Sequence, residues 1–308
     1  MRRPRIELPG GKRFAFSILD DTDDSTLENV QPAYARLREL GFRTTKTVWP
    51  LDCPEGSRLY FAADTLQRPE YLAFVRELLA EGFELAFHGA TMESSDRERT
   101  LRGLAFLERE LGVVPRVHAN HGQNRENLYW GAERFRTRWL RALVRCAARG
   151  SPAYEGEREG SPYFWGDVCK ARFDYVRGFT CRSLDVLGFC PEIPYATENT
   201  PYVRHWFATT DAPDAAAFRA RVTREAVDRL EEEGGVALVS THLGKGFCRD
   251  GRLDPAVDDV LAYLAAKPGW FAPVGTILDH LRGLRPTPTL RGLPLLRLEL
   301  RFLAERLR

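Results

Sequence analysis

The stretch FAFSILDDTDDST, residues 14–26, most constrains this chain: an apolar run with strand character carries Asp20, Asp21, Asp23 and Asp24 onto the turn that follows it. Such a run folds by being buried, yet it ends in four carboxylates. Crowded like charges repel, and a carboxylate taken out of water without a partner is strongly disfavoured. A cation or a catalytic task is the simplest reason to gather them, and a solvated turn capping the next helix is the plain alternative.

Downstream the strand–helix alternation repeats. Ser25-Thr26-Leu27-Glu28 has capping-box spacing, and Tyr34, Leu37 and Leu40 continue an apolar helical face up to Gly41. RTTKTVW (43–49) reads as a β-branched strand. A helix over 69–81, the strand FELAF ending at His88, a helix opening at Ser95 and the strand RVHAN (116–120) follow. Strand–helix units in succession predict a parallel sheet or barrel. The pattern resumes with a helix over 214–233, the strand VALVS before Thr241-His242, a helix over 255–266, WFAPV and a helix to 283. In between, residues 150–213 are dense in Pro, Gly and aromatics and predict an irregular, aromatic-rich insert, the kind of segment that carries function. Residues 1–283 thus read as one barrel domain including that insert. Residues 284–308, with LPLLRLELRFLAERLR, read as an amphipathic tail that fits a period-2 strand and a leucine-faced helix equally.

The 308 residues, 44% of them hydrophobic, can supply one large core, and a net charge of +2 gives no case for nucleic acid. MRRPRIELPGGKR is basic without an apolar signal region, and six cysteines occur without a CxxC pair, so a cytoplasmic protein with reduced thiols is expected. Residues 133–149 set six arginines around Trp139, Leu140, Leu143 and Val144. They read first as a solvated helix face and second as an anion or membrane-surface contact.

Four polar clusters follow strands: DDTDD, HGAT (88–91), HANHGQN (118–124) and THLGKG (241–246). The carboxyl ends of parallel strands gather on one face, so these clusters become neighbours. Carboxylates with several imidazoles suit zinc or a similar divalent ion, and three protein ligands leave room for water. His205 is placed with the aromatic insert, and His280 is taken as structural. No GxGxxG or GxSxG is present, and Gly244-Lys245-Gly246 lacks the spacing of a phosphate loop.

Asp20-Asp21 after FAFSIL, ELAFHGA and VSTHL together resemble the polysaccharide deacetylases, carbohydrate esterase family 4, and more closely their divergent relatives in bacterial surface-polysaccharide biosynthesis. The anchors span residues 14–247. The resemblance implies a distorted (β/α) barrel of about seven parallel strands. It also implies Asp20 as general base, Asp21 and His88 as metal ligands, and His242 as general acid in removing an N-acetyl group from a sugar or glycan intermediate. The expected cofactor is a divalent metal, zinc in the first place. The expected partner is a carbohydrate, either free or linked to a nucleotide or a lipid.

Family members place a second metal histidine four residues after the first, where Met92 stands here, and the family's arginine and proline-tyrosine motif is not recognisable around 116–124. A thioether replaces imidazole poorly on a hydrolytic zinc, so the third ligand is expected from the next loop. His121 is preferred over His118, because it lies beyond the strand end and precedes Gly122. Asp23 stands in for Asp21 if the first strand runs further. Asn120, Trp165, Tyr202, Trp206 and Thr241 are expected to contact substrate. The rival readings are a catalytically silent glycan-binding or assembly protein and a metal-dependent hydrolase of another glycan bond.

Overall fold

The first strand, β1 (Phe14–Asp20), is buried along its whole length. It can be so because its backbone pairs with a parallel neighbour on each side, β2 (Thr45–Val48) and β7 (Val236–Thr241), while its two faces are covered by the barrel interior and by helices packed outside. This is the condition under which strands read as continuous apolar runs rather than alternating ones. β3 (Glu84–Phe87), β4 (Val117–His118), β5 (Tyr175–Cys181) and β6 (His205–Asp211) complete the circuit in chain order. The result is a closed barrel of seven parallel strands, with β8 (Gly269–Phe271) laid against the start of β1. The computed structural model describes residues 5–59, 62–148 and 153–307; Arg149 and residues 150–152, where the basic helix was expected to end and the insert to begin, lie outside them.

Helices cover the barrel: α1 (Leu27–Glu39), α2 (Pro69–Ala80), α3 (Arg97–Leu111), α4 (Arg138–Ala147), α5 (Gly166–Arg172), α6 (Val186–Phe189), α7 (Ala215–Arg221), α8 (Arg224–Glu233), α9 (Pro255–Ala265) and α10 (Val274–Leu284). The capping box of α1 sits one residue later than the sequence spacing suggests. Thr26 is the N-cap and Asn29 closes the box, Asn29 N donating to Thr26 Oγ1 and Thr26 N to Asn29 Oδ1. The same Asn29 amide donates to Asp24 O at 2.9 Å and so fixes the acidic turn to the helix that follows it.

Residues 150–213 are not an irregular insert, since they hold the barrel strands β5 and β6. YVRGFTC and HWFATTD mix Arg, Gly, Cys, His and Thr, so neither an apolar run nor a clean alternation marks them. A register irregularity between Arg177 and Thr180 further breaks the period. The tail is helix α11 (Gly292–Leu307), and Leu295, Leu298 and Phe302 join the common core. The Phe302 ring lies 4.7 Å from that of Phe179 on β5. The fully buried Glu299 carboxylate accepts the Arg136 and Thr137 backbone N–H groups that open α4. No helix among the described residues is long and apolar enough to cross a membrane.

The long connection from β4 to β5 is fastened by polar pins. One is the Glu157 carboxylate, which accepts Tyr129 N–H at 2.9 Å where Tyr129 holds a left-handed φ of 49°. Burial pushes Glu157 up to about 7. A carboxyl with a raised folded-state pKa binds more protons folded than unfolded between about 4.5 and 7, so stability falls as pH rises through that window. Glu157→Gln removes the ionisation. Its unfolding free energy should match the wild type near pH 4 and exceed it at pH 8, by at most about 3 kcal/mol. Urea titrations at the two pH values measure the difference, and an equal effect at both would show that ionisation of Glu157 is not involved.

Candidate metal centre at the carboxyl end of the barrel

Strand register decides which of the acidic residues reaches the site. Asp20 lies opposite Lys46 in the β1–β2 pairing, and its Oδ2 accepts both Lys46 Nζ and the Tyr34 hydroxyl at 2.8 Å. Its Oδ1 accepts Leu243 N–H at 2.9 Å. Both oxygens are therefore engaged inside the wall, with side-chain exposures of 0% for Asp20 and 2% for Lys46. Burial opposes the charge on Lys46, but Asp20 and Tyr71 together outweigh it and lift the ammonium pKa above its usual value. Asp20, expected to be the base, is placed as the counterion of a buried lysine.

Beyond the strand the backbone continues the ladder for one residue, with Asp21 N donating to Thr241 O at 2.7 Å. Past that residue the chain turns, and Asp21 and Asp23 are both brought against His88. Asp23 is its hub. Its carboxylate lies 3.3 Å from His88 Nε2, 3.4 Å from His121 Nε2 and 3.3 Å from His242 Nε2. One ligand atom each from Asp23, His88 and His121 lies within 4.8 Å of the others. The sequence reading of His88 with His121 is thus brought together in space, and Asp23 takes the place expected of Asp21.

The donor set fits a divalent cation. His88 Nε2 lies 3.3 Å from Asp23 Oδ1 and His121 Nε2 3.4 Å from Asp23 Oδ2, separations that suit donors each ~2.1 Å from an ion held between the imidazoles and the two carboxylate oxygens. His88 Nδ1 faces Ala119 O at 2.8 Å, so that nitrogen carries the proton and Nε2 is left as a lone-pair donor. Asp23 Oδ1 and His121 Nδ1 are buried without a hydrogen-bond partner. Burial would raise the Asp23 carboxyl, but the three imidazoles hold it well below the usual carboxylate range.

Asp21 stands beside this group and is held differently. Arg177 Nη1 donates to its Oδ2 at 2.6 Å, while Oδ1 is buried without a hydrogen-bond partner, 3.8 Å from His88 Nδ1. Burial lifts the Asp21 carboxyl, and Arg177, His88 and His242 together outweigh burial, leaving it below its ordinary value and ionised at neutral pH. His242 fixes its Nδ1 on Pro213 O at 2.6 Å and turns Nε2 to Asp23. Its pKa is lowered by burial but raised on balance by Asp23 and Asp21.

The other expected contacts are structural. His118 sits with Nδ1 3.0 Å from Phe87 O and Nε2 3.0 Å from Asn120 Oδ1, and burial pushes it down to about 4, so it is neutral and donates to one of them. The Asn120 amide closes on both backbone groups of Leu128. Thr241 is fully buried in β7. Trp165 is 1% exposed with its indole N–H on Glu126 O. Trp206 is 6% exposed, near the start of β6 and so away from the strand ends, with its N–H on Thr200 Oγ1. Tyr202 bonds Glu159 through its hydroxyl. Trp165 and Trp206 serve the core because the region expected to be an aromatic-rich insert supplies barrel strands. His205, at the start of β6, caps Asp174 O.

Two contributors escaped the sequence reading. Arg177 sits within β5, where a lone charge in YVRGF is the one signal available. Trp49, following β2, packs its ring 5.1 Å from that of His88 and 4.9 Å from that of His121. It walls off one side of the centre.

No protein-family profile matches the sequence, and no curated protein does. Solved structures do. A protein assigned as a polysaccharide deacetylase from Mycobacterium smegmatis superposes with a TM-score of 0.55 at 15% identity, covering 95% of this chain and 98% of that one. The fold is that of the polysaccharide deacetylases. A second protein so assigned, from Pseudomonas aeruginosa PAO1, gives 0.54 at 14% identity over 92% and 96% of the two chains. The allantoinase Puue gives 0.53 at 14% over 92% and 95%. The deacetylase fold therefore hosts more than one substrate, and function must be argued from the site.

Proposed function

We propose that the protein is a metal-dependent hydrolase that removes an N-acetyl group from a sugar or glycan intermediate. The observation that carries this is the Asp23–His88–His121 cluster with a second, separately held carboxylate, Asp21, beside it. Such an ion, when bound, polarises an acyl carbonyl and makes water a stronger acid. Asp21 Oδ1, which has no hydrogen-bond partner, accepts the proton from the attacking water, and Arg177 keeps that carboxylate ionised and aimed. His242, its Nδ1 tied to Pro213 O, presents Nε2 to give a proton to the departing amine. Base and acid come from different strand ends, β1 and β7, so they can flank one carbonyl. Asp21 takes over the role first expected of Asp20.

Acetate release from N-acetylated oligosaccharides and sugar nucleotides tests the reading. Activity should disappear with chelator and return with zinc, and a metal-replete protein that releases no acetate from either panel would overturn it. The burial of Trp165 and Trp206 removes two of the stacking planes expected for a sugar ring, and it favours as second reading the same hydrolysis on a non-sugar acylamine. Adding small amides to the panel separates the two.

A further inference from the structure

On the surface, α4 carries an arrangement that the reaction does not use. It buries only Leu140, while Trp139 and Leu143, one turn apart, are 57% and 59% exposed. Beside them opens a cleft of about 430 Å³ lined by Arg136, Arg138, Arg141, Arg145, Ala142 and Asn199. Four guanidiniums meet there, and among the described residues the carboxylate paired with them is Glu133, bound to Arg141 and Arg145. Arg138 has no carboxylate partner among the described residues. Arg136 is 9% exposed, donates through Nη1 to Asn199 O at 3.2 Å, and keeps Nη2 buried without a partner. Burial and the neighbouring Arg141 both weigh against its charge. A cationic cleft left underpaired in this way is complementary to a phosphate, whose oxygens match guanidinium forks.

We propose that α4 docks on an anionic phospholipid surface, seating a headgroup phosphate in the Arg136–Arg138–Arg141–Arg145 cleft and Trp139 and Leu143 among the acyl-chain boundary. The exposed apolar pair decides for a lipid over a free anion. A soluble phosphate would use the cleft and leave both side chains in water, whereas an amphipathic helix lying in an interface uses both sides. Tryptophan favours that depth, and arginine favours the headgroup layer. Helix α11, whose Glu299 accepts the N–H groups opening α4, extends the same character, with Leu293 66% and Leu300 43% exposed. The inference is independent of the reaction.

Co-sedimentation of the full chain with phosphatidylcholine vesicles, with and without phosphatidylglycerol, tests it. The protein should pellet only with phosphatidylglycerol and be released by high salt. Arg138→Glu should weaken binding by about tenfold, and Trp139→Ala should weaken it measurably. Both side chains are exposed, so thermal melting should be unchanged in each variant. Failure of the wild type to pellet, or equal pelleting of Arg138→Glu, overturns the proposal. Inorganic pyrophosphate that binds the protein in a calorimeter while vesicles do not would likewise overturn it, and would assign the cleft to a free anion.

Discussion

Asp21→Asn is expected to keep the metal and to lower turnover by on the order of 10²–10⁴-fold, the range for losing a positioned general base. The substitution preserves shape, and the amide oxygen can still accept from Arg177, which lies 2.6 Å from Asp21 Oδ2. What disappears is the proton-accepting capacity of Oδ1. His242→Ala should act in the same direction and also retain metal, because the ligand atoms that lie within 4.8 Å of one another are those of Asp23, His88 and His121, without His242. Single-turnover acetate release paired with metal content separates the roles. Metal lost from either variant would make that residue a ligand, and full turnover in Asp21→Asn would remove the proposed base.

Lys46→Met is expected to destabilise the barrel by about 3–5 kcal/mol, the cost of leaving a buried charge without its partner. Asp20 would keep only the Tyr34 hydroxyl and the Leu243 N–H. The double variant Lys46→Met with Asp20→Asn should recover much of that loss, since a neutral amide tolerates the site better than an unpaired carboxylate. Urea unfolding of the two single variants and the double variant gives the coupling directly. Turnover per folded molecule should change little in Lys46→Met. A loss below about 1 kcal/mol, the scale of an exposed pair, would mean that Asp20 is not held as a buried ion. A large loss of turnover at unchanged stability would return Asp20 to the chemistry.

The barrel was legible where strands are apolar throughout and end abruptly in polar clusters, as at Asp20, His88 and Thr241. It was illegible at β5 and β6, whose mixed composition reflects what they carry: Arg177 for the site, and Gly178 beside a register shift. The alternative of Asp23 for Asp21 was visible in the sequence but could not be decided there. The choice depends on where β1 stops and on which neighbour stands across from its last residue, and that neighbour is Lys46. A lysine in TTKTV looks like an edge or surface residue until the register is known. Gly122 and the strand end gave a preference for His121 over His118, and it is His121 that lies with Asp23 and His88 while His118 faces Phe87 O. The aromatics of residues 150–213 misled, because density of Trp and Tyr indicates burial as readily as a binding platform.

Elemental analysis of purified wild type, Asp23→Ala, His88→Ala, His121→Ala and Asp21→Asn goes most directly to the centre. One equivalent of divalent metal is expected in the wild type and in Asp21→Asn, with loss in each of the three ligand variants. A wild type that retains none after incubation with excess divalent metal, or undiminished metal in Asp23→Ala and His121→Ala, would contradict the Asp23–His88–His121 centre.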